Sequence, residues 1–271
     1  MLATRWWPAA SPLVPSLDCG MPSTLQVLSL SSPSAGYRRI RFAGAQLAPF
    51  CQHDNIHCRL VFPSARDAEG RSASSTRVYT VRGFDADAQW LEIDFLLHAD
   101  AGPGACWAQQ AQVGDRVEIL KPGGRTARMA DWMVLAGDDS ALPALARIAE
   151  QLPASTRGHV VCEIADPQDA IDIPLPAGMQ WHWLYRTGAP AGSGEQLQQA
   201  VQALDWSAAH TTEGASRFLW VGAEFATAQA LRAWAVDSLG LGKQEQLIVA
   251  YWRRGMSENE LRAPQPALEK T

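Results

Sequence analysis

The hexapeptide Arg77-Val78-Tyr79-Thr80-Val81-Arg82 brings a guanidinium, a phenol and a small hydroxyl within four residues. A guanidinium grips a phosphate through paired N–H groups, a phenol covers the face of a heteroaromatic ring, and a nearby hydroxyl donates to a ring nitrogen. These are the groups that a flavin dinucleotide requires of its protein. Side chains alternate on a strand, so Arg77 and Tyr79 share one face and Thr80 takes the other, and one strand can meet both phosphates and ring. Tyr, Thr, Val and Arg suit a surface strand equally well. The hexapeptide alone leaves both readings open.

Elements with the right periodicity surround it. Leu25–Ser31, Tyr37–Phe42, Ile56–Phe62, Arg77–Arg82, Leu91–His98 and Arg116–Leu120 read as short strands between turns, several alternating polar and apolar as in Arg116-Val117-Glu118-Ile119. This spacing predicts a six-stranded antiparallel Greek-key barrel over residues 24–128, closed so that no edge is left open. Beyond Lys121-Pro122-Gly123-Gly124 the pattern changes. Trp132–Ala136 is continuously apolar, as a strand buried on both faces would be, and residues 140–152 place Leu142, Leu145, Ile148, Ala149 and Leu152 on one helical face. Further strands are expected at His159–Ile164, Trp181–Tyr185, Phe218–Val221 and Leu247–Trp252, with helices at Glu195–Leu204 and Phe225–Leu239. That alternation predicts a Rossmann-like parallel α/β domain over residues 129–256. Residues 1–23 read as a disordered extension, upstream of a working start near Met21, and 257–271 as a tail.

A chain of 271 residues has room for two compact domains. Its formal charge of −5 argues against a nucleic-acid or anionic-membrane partner, and it has no uninterrupted apolar run of about 20 residues. Five cysteines without C-x-x-C spacing fit reduced thiols and predict a cytoplasmic protein. The six histidines show no ligand spacing, so they are expected to be ordinary polar positions and no metal site is expected. Residues 1–130 hold thirteen basic and eleven acidic residues, and 131–271 hold ten and seventeen, so the net charge is concentrated in the second half.

Several ordered motifs carry a resemblance. Arg77–Arg82 runs into Gly83-Phe84-Asp85, then Ile93–His98, then Gly102-Pro103-x-x-x-Trp107-Ala108. The second half continues with Ala136-Gly137-Asp138-Asp139-Ser140-Ala141-Leu142-Pro143-Ala144, Trp220-Val221-Gly222-Ala223-Glu224 and Tyr251-Trp252-Arg253-Arg254-Gly255. Over residues 25–256 the chain resembles the siderophore-interacting proteins, FAD-dependent ferric-siderophore reductases of the ferredoxin-reductase superfamily.

The resemblance implies that Arg77, Tyr79 and Thr80 contact FAD with Arg82 in support. It also implies that Leu97, His98 and the Gly102–Trp107 turn, including Pro103 and Ala105, hold the rest of the cofactor. Ala105 stands where the family often has serine, and Arg59 in His57-Cys58-Arg59-Leu60-Val61-Phe62-Pro63 stands where it usually has lysine. The ferric siderophore, commonly anionic and too bulky to bury, is expected in an open basic cleft formed by Arg59, Arg253 or Arg254, with Lys121 and Arg125 as further candidates. NAD(P)H or reduced ferredoxin is the implied donor, with Ser140 and Glu224 as nucleotide contacts. Asp138 and Asp139 would repel a pyrophosphate and suit helix capping. No acid–base catalyst is required. Two alternatives share the scaffold: an NAD(P)H-dependent flavin or quinone reductase, and a non-catalytic siderophore-binding protein.

Overall fold

A computed structural model describes residues 23–50, 56–63, 74–98, 102–207 and 215–256. Residues 1–22 and 257–271 of the predicted terminal segments, and Cys19 and Cys51, lie outside the described residues, whereas Ser23, expected in the extension, opens a strand.

The first six strands are β1 (Ser23–Ser34), β2 (Tyr37–Gly44), β3 (His57–Pro63), β4 (Ser74–Asp85), β5 (Trp90–Leu96) and β6 (Arg116–Gly123). They form a closed antiparallel barrel in the order β1-β2-β5-β4-β3-β6, with β1 pairing back to β6 through Leu25 and Val117. Alternation decides which side chains fill it. On β3, Cys58, Leu60 and Phe62 are buried inward, while Arg59 is exposed on the opposite face that it shares with His57. Asp94 is a buried charge on β5 that the fold satisfies: its partner in the ladder, Arg39, grips both carboxylate oxygens at 2.6 and 2.7 Å.

One element departs from expectation. The Gly102–Trp107 turn is the start of a helix, α1 (Pro103–Gln110). Pro103 at the first helical position has no N–H to lose and a fixed φ, and Ala105 and Ala108 are buried. Tertiary packing thus stabilises a helix too short to stand alone. Strand β6 also runs past Leu120 to Gly123, through Lys121 and Pro122.

The second half contains β7 (Trp132–Asp138), α2 (Leu142–Ala149), β8 (Arg157–Ile164), β9 (Gly178–Tyr185), α3 (Gln196–Gln202), β10 (Arg217–Glu224), α4 (Phe225–Asp237) and β11 (Gln246–Trp252). The sheet order is β11-β10-β7-β8-β9 and every pairing is parallel. Central β7 is buried throughout, packing Met133 and Leu135 toward α2 and Trp132, Val134 and Ala136 toward α3 and α4. Helix α2 is shorter than expected because residues 139–141 form a 3-10 turn, capped by the Asp138 side chain. Among the described residues no helix is long and apolar enough to cross a membrane.

The two halves share a core. Tyr37 and Ile56 of the barrel lie in the same buried cluster as α2 and the sheet, and the Tyr37 hydroxyl donates to the Asp139 carbonyl at 2.6 Å. Buried Arg147 on α2 donates to the Val81 carbonyl. Glu150, just past α2, takes Arg82 in a two-pronged ion pair at 2.5 and 2.7 Å. The strand that carries the hexapeptide is therefore held from behind by the second domain.

Candidate functional site

On β4 the expected alternation is present, with Tyr79 packed against the barrel's aromatic residues and Thr80 buried on the other face. Tyr79 stacks at an angle on Phe95, centroids 4.6 Å apart, and meets Phe62 edge-on at 6.0 Å. Its hydroxyl lies over Gly104 of α1, where a Cβ would come within 2.0 Å of it, so only glycine admits the phenol there. Trp107 belongs to the same aromatic set, packing on Phe42, Phe62 and Phe95. Arg77 is half-buried and donates to the Thr76 carbonyl at 2.9 Å. Arg82 faces Glu150 and Asp94, so its guanidinium serves the domain interface.

Next to this set, α1 begins without a side-chain cap and without an acid in its first turn. Among the described residues a Cβ on Gly102 would meet nothing within 4 Å. An uncapped N-terminus suits a phosphate. Leu97 donates its N–H to the Gly36 carbonyl at 2.8 Å, and His98 is exposed at the end of β5. The residues present fit a flavin dinucleotide: phenol, guanidinium and hydroxyl on β4, and a phosphate-ready helix start on α1.

A second constellation centres on His57, which pairs with Thr80 in the β3–β4 ladder. Its Nε2 lies 2.9 Å from the Tyr251 hydroxyl, the rings nearly perpendicular. Gly124, in the left-handed region at φ +89°, crosses its other edge so closely that a Cβ would lie 2.2 Å from Nδ1. Three exposed arginines stand within three residues of these contacts: Arg59, Arg125 and Arg254. Arg253 differs from its neighbour, stacking on the Phe225 ring at 4.6 Å. Lys121 lies on β6 one residue past Leu120, the ladder partner of Arg59. Sequence reasoning took His57 for an ordinary polar position and gave Tyr251 no role, because their partnership spans 194 residues. The His57-x-Arg59 pair on one strand face was the available signal.

The third cluster is acidic and lies at the C-terminal ends of β7 and β10. Asp138 accepts from the Ser140 N–H and hydroxyl at 3.0 and 2.5 Å, and from the Glu224 N–H and the Trp252 indole at 2.8 and 2.9 Å. Burial, with Asp139 beside it, nonetheless pushes its carboxyl up to about 7, against the pull of those donors. Asp139 is held by Arg186 at 2.5 Å, and Arg186 also approaches Glu163 at 3.7 Å. Glu224 caps α4 through the Ala226 N–H at 2.5 Å and accepts from the Arg254 N–H at 3.1 Å. Ser140 and Glu224 are thus engaged within the chain. A Cβ on Gly137 would sit 2.7 Å from both Ala141 Cβ and the Gly222 carbonyl. Backbone and side chains pack closely at this mouth, and Asp138, Asp139, Ser140 and Glu224 are each engaged within the chain.

Residues 26–126 match the family described as siderophore-interacting FAD-binding domain, and residues 130–255 match the siderophore-interacting protein family. The chain is similar to the ferric vibriobactin reductase of Vibrio cholerae, 30% identical over 254 residues, covering 88% of this chain and 91% of that one. It is 29% identical to the ferric acinetobactin reductase of Acinetobacter baumannii over 243 residues, covering 88% and 80%. A siderophore utilization protein from T. fusca superposes with a TM-score of 0.75 at 30% identity, covering 88% and 94%. More distant likeness, to the cytochrome b5 reductase domain of Ulva prolifera nitrate reductase (TM-score 0.62, 13% identity, 89% and 99% covered), shows the ferredoxin-reductase-like fold.

Proposed function

The chain belongs to the siderophore-interacting protein family, and from that premise we propose that it is a cytoplasmic FAD-dependent reductase of ferric siderophores. The observation that supports this reading is the His57–Tyr251 contact beside the strand bearing Tyr79 and Thr80, with exposed Arg59 two residues from His57, exposed Arg254 three residues from Tyr251 and exposed Arg125 next to Gly124. Cations placed in the open beside a flavin suit a large anionic chelate docked at its edge.

Bound FAD supplies the ability to accept electrons in pairs and release them one at a time. Arg77 and the α1 N–H groups would hold its phosphates, and Tyr79 and Thr80 would contact the ring. Leu97, His98, Gly102, Pro103, Ala105 and Trp107 would hold the remainder; Ala105 offers no hydroxyl. Arg59 and Arg254 hold the chelate, with Arg125, Lys121 and the stacked Arg253 around them. Each Fe(III) takes one electron and becomes Fe(II), which hard oxygen donors hold less tightly, so one hydride's worth of electrons releases two irons. No side chain needs to move a proton at the metal.

Electrons come from NAD(P)H or reduced ferredoxin. The engagement of Asp138, Ser140 and Glu224 within the chain favours a donor that places no pyrophosphate there, which is ferredoxin.

The test is reconstitution with FAD, followed by anaerobic measurement of ferrous-iron formation from catecholate, hydroxamate and carboxylate chelates with both nicotinamides and ferredoxin supplied. Iron release that slows in Arg59→Ala or Arg254→Ala supports the reading. Flavin or quinone reduction without iron release supports the scaffold's other chemistry. A colourless protein that takes up no FAD but binds ferric chelate indicates a binding protein.

A further inference from the structure

Strand β11 ends in a turn that carries Arg253 and Arg254, and its own domain fixes that turn three times. The Trp252 indole donates to Asp138, the Arg254 N–H donates to Glu224, and the Arg253 guanidinium lies on Phe225. None of these contacts relates the turn to the barrel, where Arg59 stands. The His57–Tyr251 hydrogen bond does. On β3, Arg59 is two residues from His57 and on the same face; on β11, Arg253 and Arg254 follow Tyr251 by two and three residues. Gly124 closes over the imidazole from β6 and carries Arg125 immediately after it.

We propose that His57 and Tyr251 are positioning residues that set the spacing between the barrel cations, Arg59 and Arg125, and Arg254 of the α/β domain, and thereby select anionic ferric chelates. The proposal rests on the reading of this cleft as the chelate site. Neither side chain need touch the chelate. Their hydrogen bond, between a ring nitrogen and a phenol that burial keeps protonated, fixes the distance between charges supplied by two domains. A trianionic tris-catecholate must be met by all three cations at once and is sensitive to that distance. An uncharged trihydroxamate is not.

The experiment uses full-length protein loaded with FAD, and reads ferric-chelate binding by quenching of tryptophan fluorescence and turnover as separate kcat and KM. Tyr251→Phe removes only the hydroxyl, and His57→Gln retains a group able to bond it. Tyr251→Phe and His57→Ala are each expected to raise Kd and KM for ferric tris-catecholate about three- to ten-fold, the worth of one hydrogen bond. KM should move more than kcat, values for the uncharged trihydroxamate should stay within about two-fold, and His57→Gln should recover part of the loss. The double variant should be no worse than the poorer single, because both remove one bond. Equal shifts for charged and uncharged chelates, additive losses, or no shift would overturn the positioning role while leaving the reductase reading intact. Failure of the unmodified protein to bind any ferric chelate would overturn both.

Discussion

Asp138 accepts the indole N–H of Trp252 at 2.9 Å, and the same oxygen takes the Glu224 N–H at 2.8 Å. One carboxylate oxygen therefore gathers the C-terminal ends of β7, β10 and β11. Asp138→Asn keeps the shape but turns an N–H group toward donors, and is expected to lower stability by about 1–3 kcal/mol at pH 7. The raised pKa sets the direction with pH. The native carboxyl holds its proton up to about pH 7, whereas an unfolded one loses it near its ordinary value of 3.8. Its contribution is thus fully present in acid and is lost as pH rises through that interval. Urea midpoints should show the gap between unmodified protein and Asp138→Asn shrinking with pH; a widening gap would count against the assignment.

Arg77 and Arg82 flank one motif and are expected to fail differently. Arg77→Ala should weaken FAD binding about ten-fold or more, read by flavin fluorescence on titration. Glu150→Gln and Arg82→Gln should each lower stability by about 1 kcal/mol, since the pair is partly solvent-exposed, and the double variant little further. Loss of FAD from Glu150→Gln at unchanged stability would place Arg82 at the cofactor instead.

Gly124→Ala combines a left-handed backbone with a Cβ at 2.2 Å from His57. It should lower stability by about 1–3 kcal/mol and reproduce the chelate selectivity of Tyr251→Phe. A fully stable Gly124→Ala that binds tris-catecholate normally would show that the imidazole is not seated by this glycine.

Mixing FAD-loaded protein with reduced ferredoxin under anaerobic stopped flow should bleach the flavin band faster than equal concentrations of NADH or NADPH. The reason is that Ser140 and Glu224, the expected nucleotide contacts, are already engaged within the chain. Rapid bleaching by a nicotinamide would reverse the donor assignment.

The strands of both domains were readable because each carries its own period: alternation on β3 and β6, unbroken apolarity on β7. Helix α1 was not, since Gly102-Pro103-Gly104 suits a turn as well as a helix start, and burial of Ala105 and Ala108 decides for the helix. Arg77, Tyr79 and Thr80 were visible as a local set. The resemblance places Arg82 in support of them, whereas its ion-pair partner Glu150, 68 residues away, lies beyond any local window. His57 and Tyr251 meet across most of the chain, and no window of sequence contains both. The acidic mouth was anticipated at Asp138 and Asp139, but not that Trp252 would complete it.

Tyr37 and Ile56 are enclosed by residues of the other domain. A half-gene encoding residues 24–126 would make a barrel with an apolar scar where α2 had lain, and its complement would lack two of its own interior side chains. A barrel exchanged with that of another reductase of this architecture would therefore have to bring side chains that fill the places of Tyr37 and Ile56 against α2.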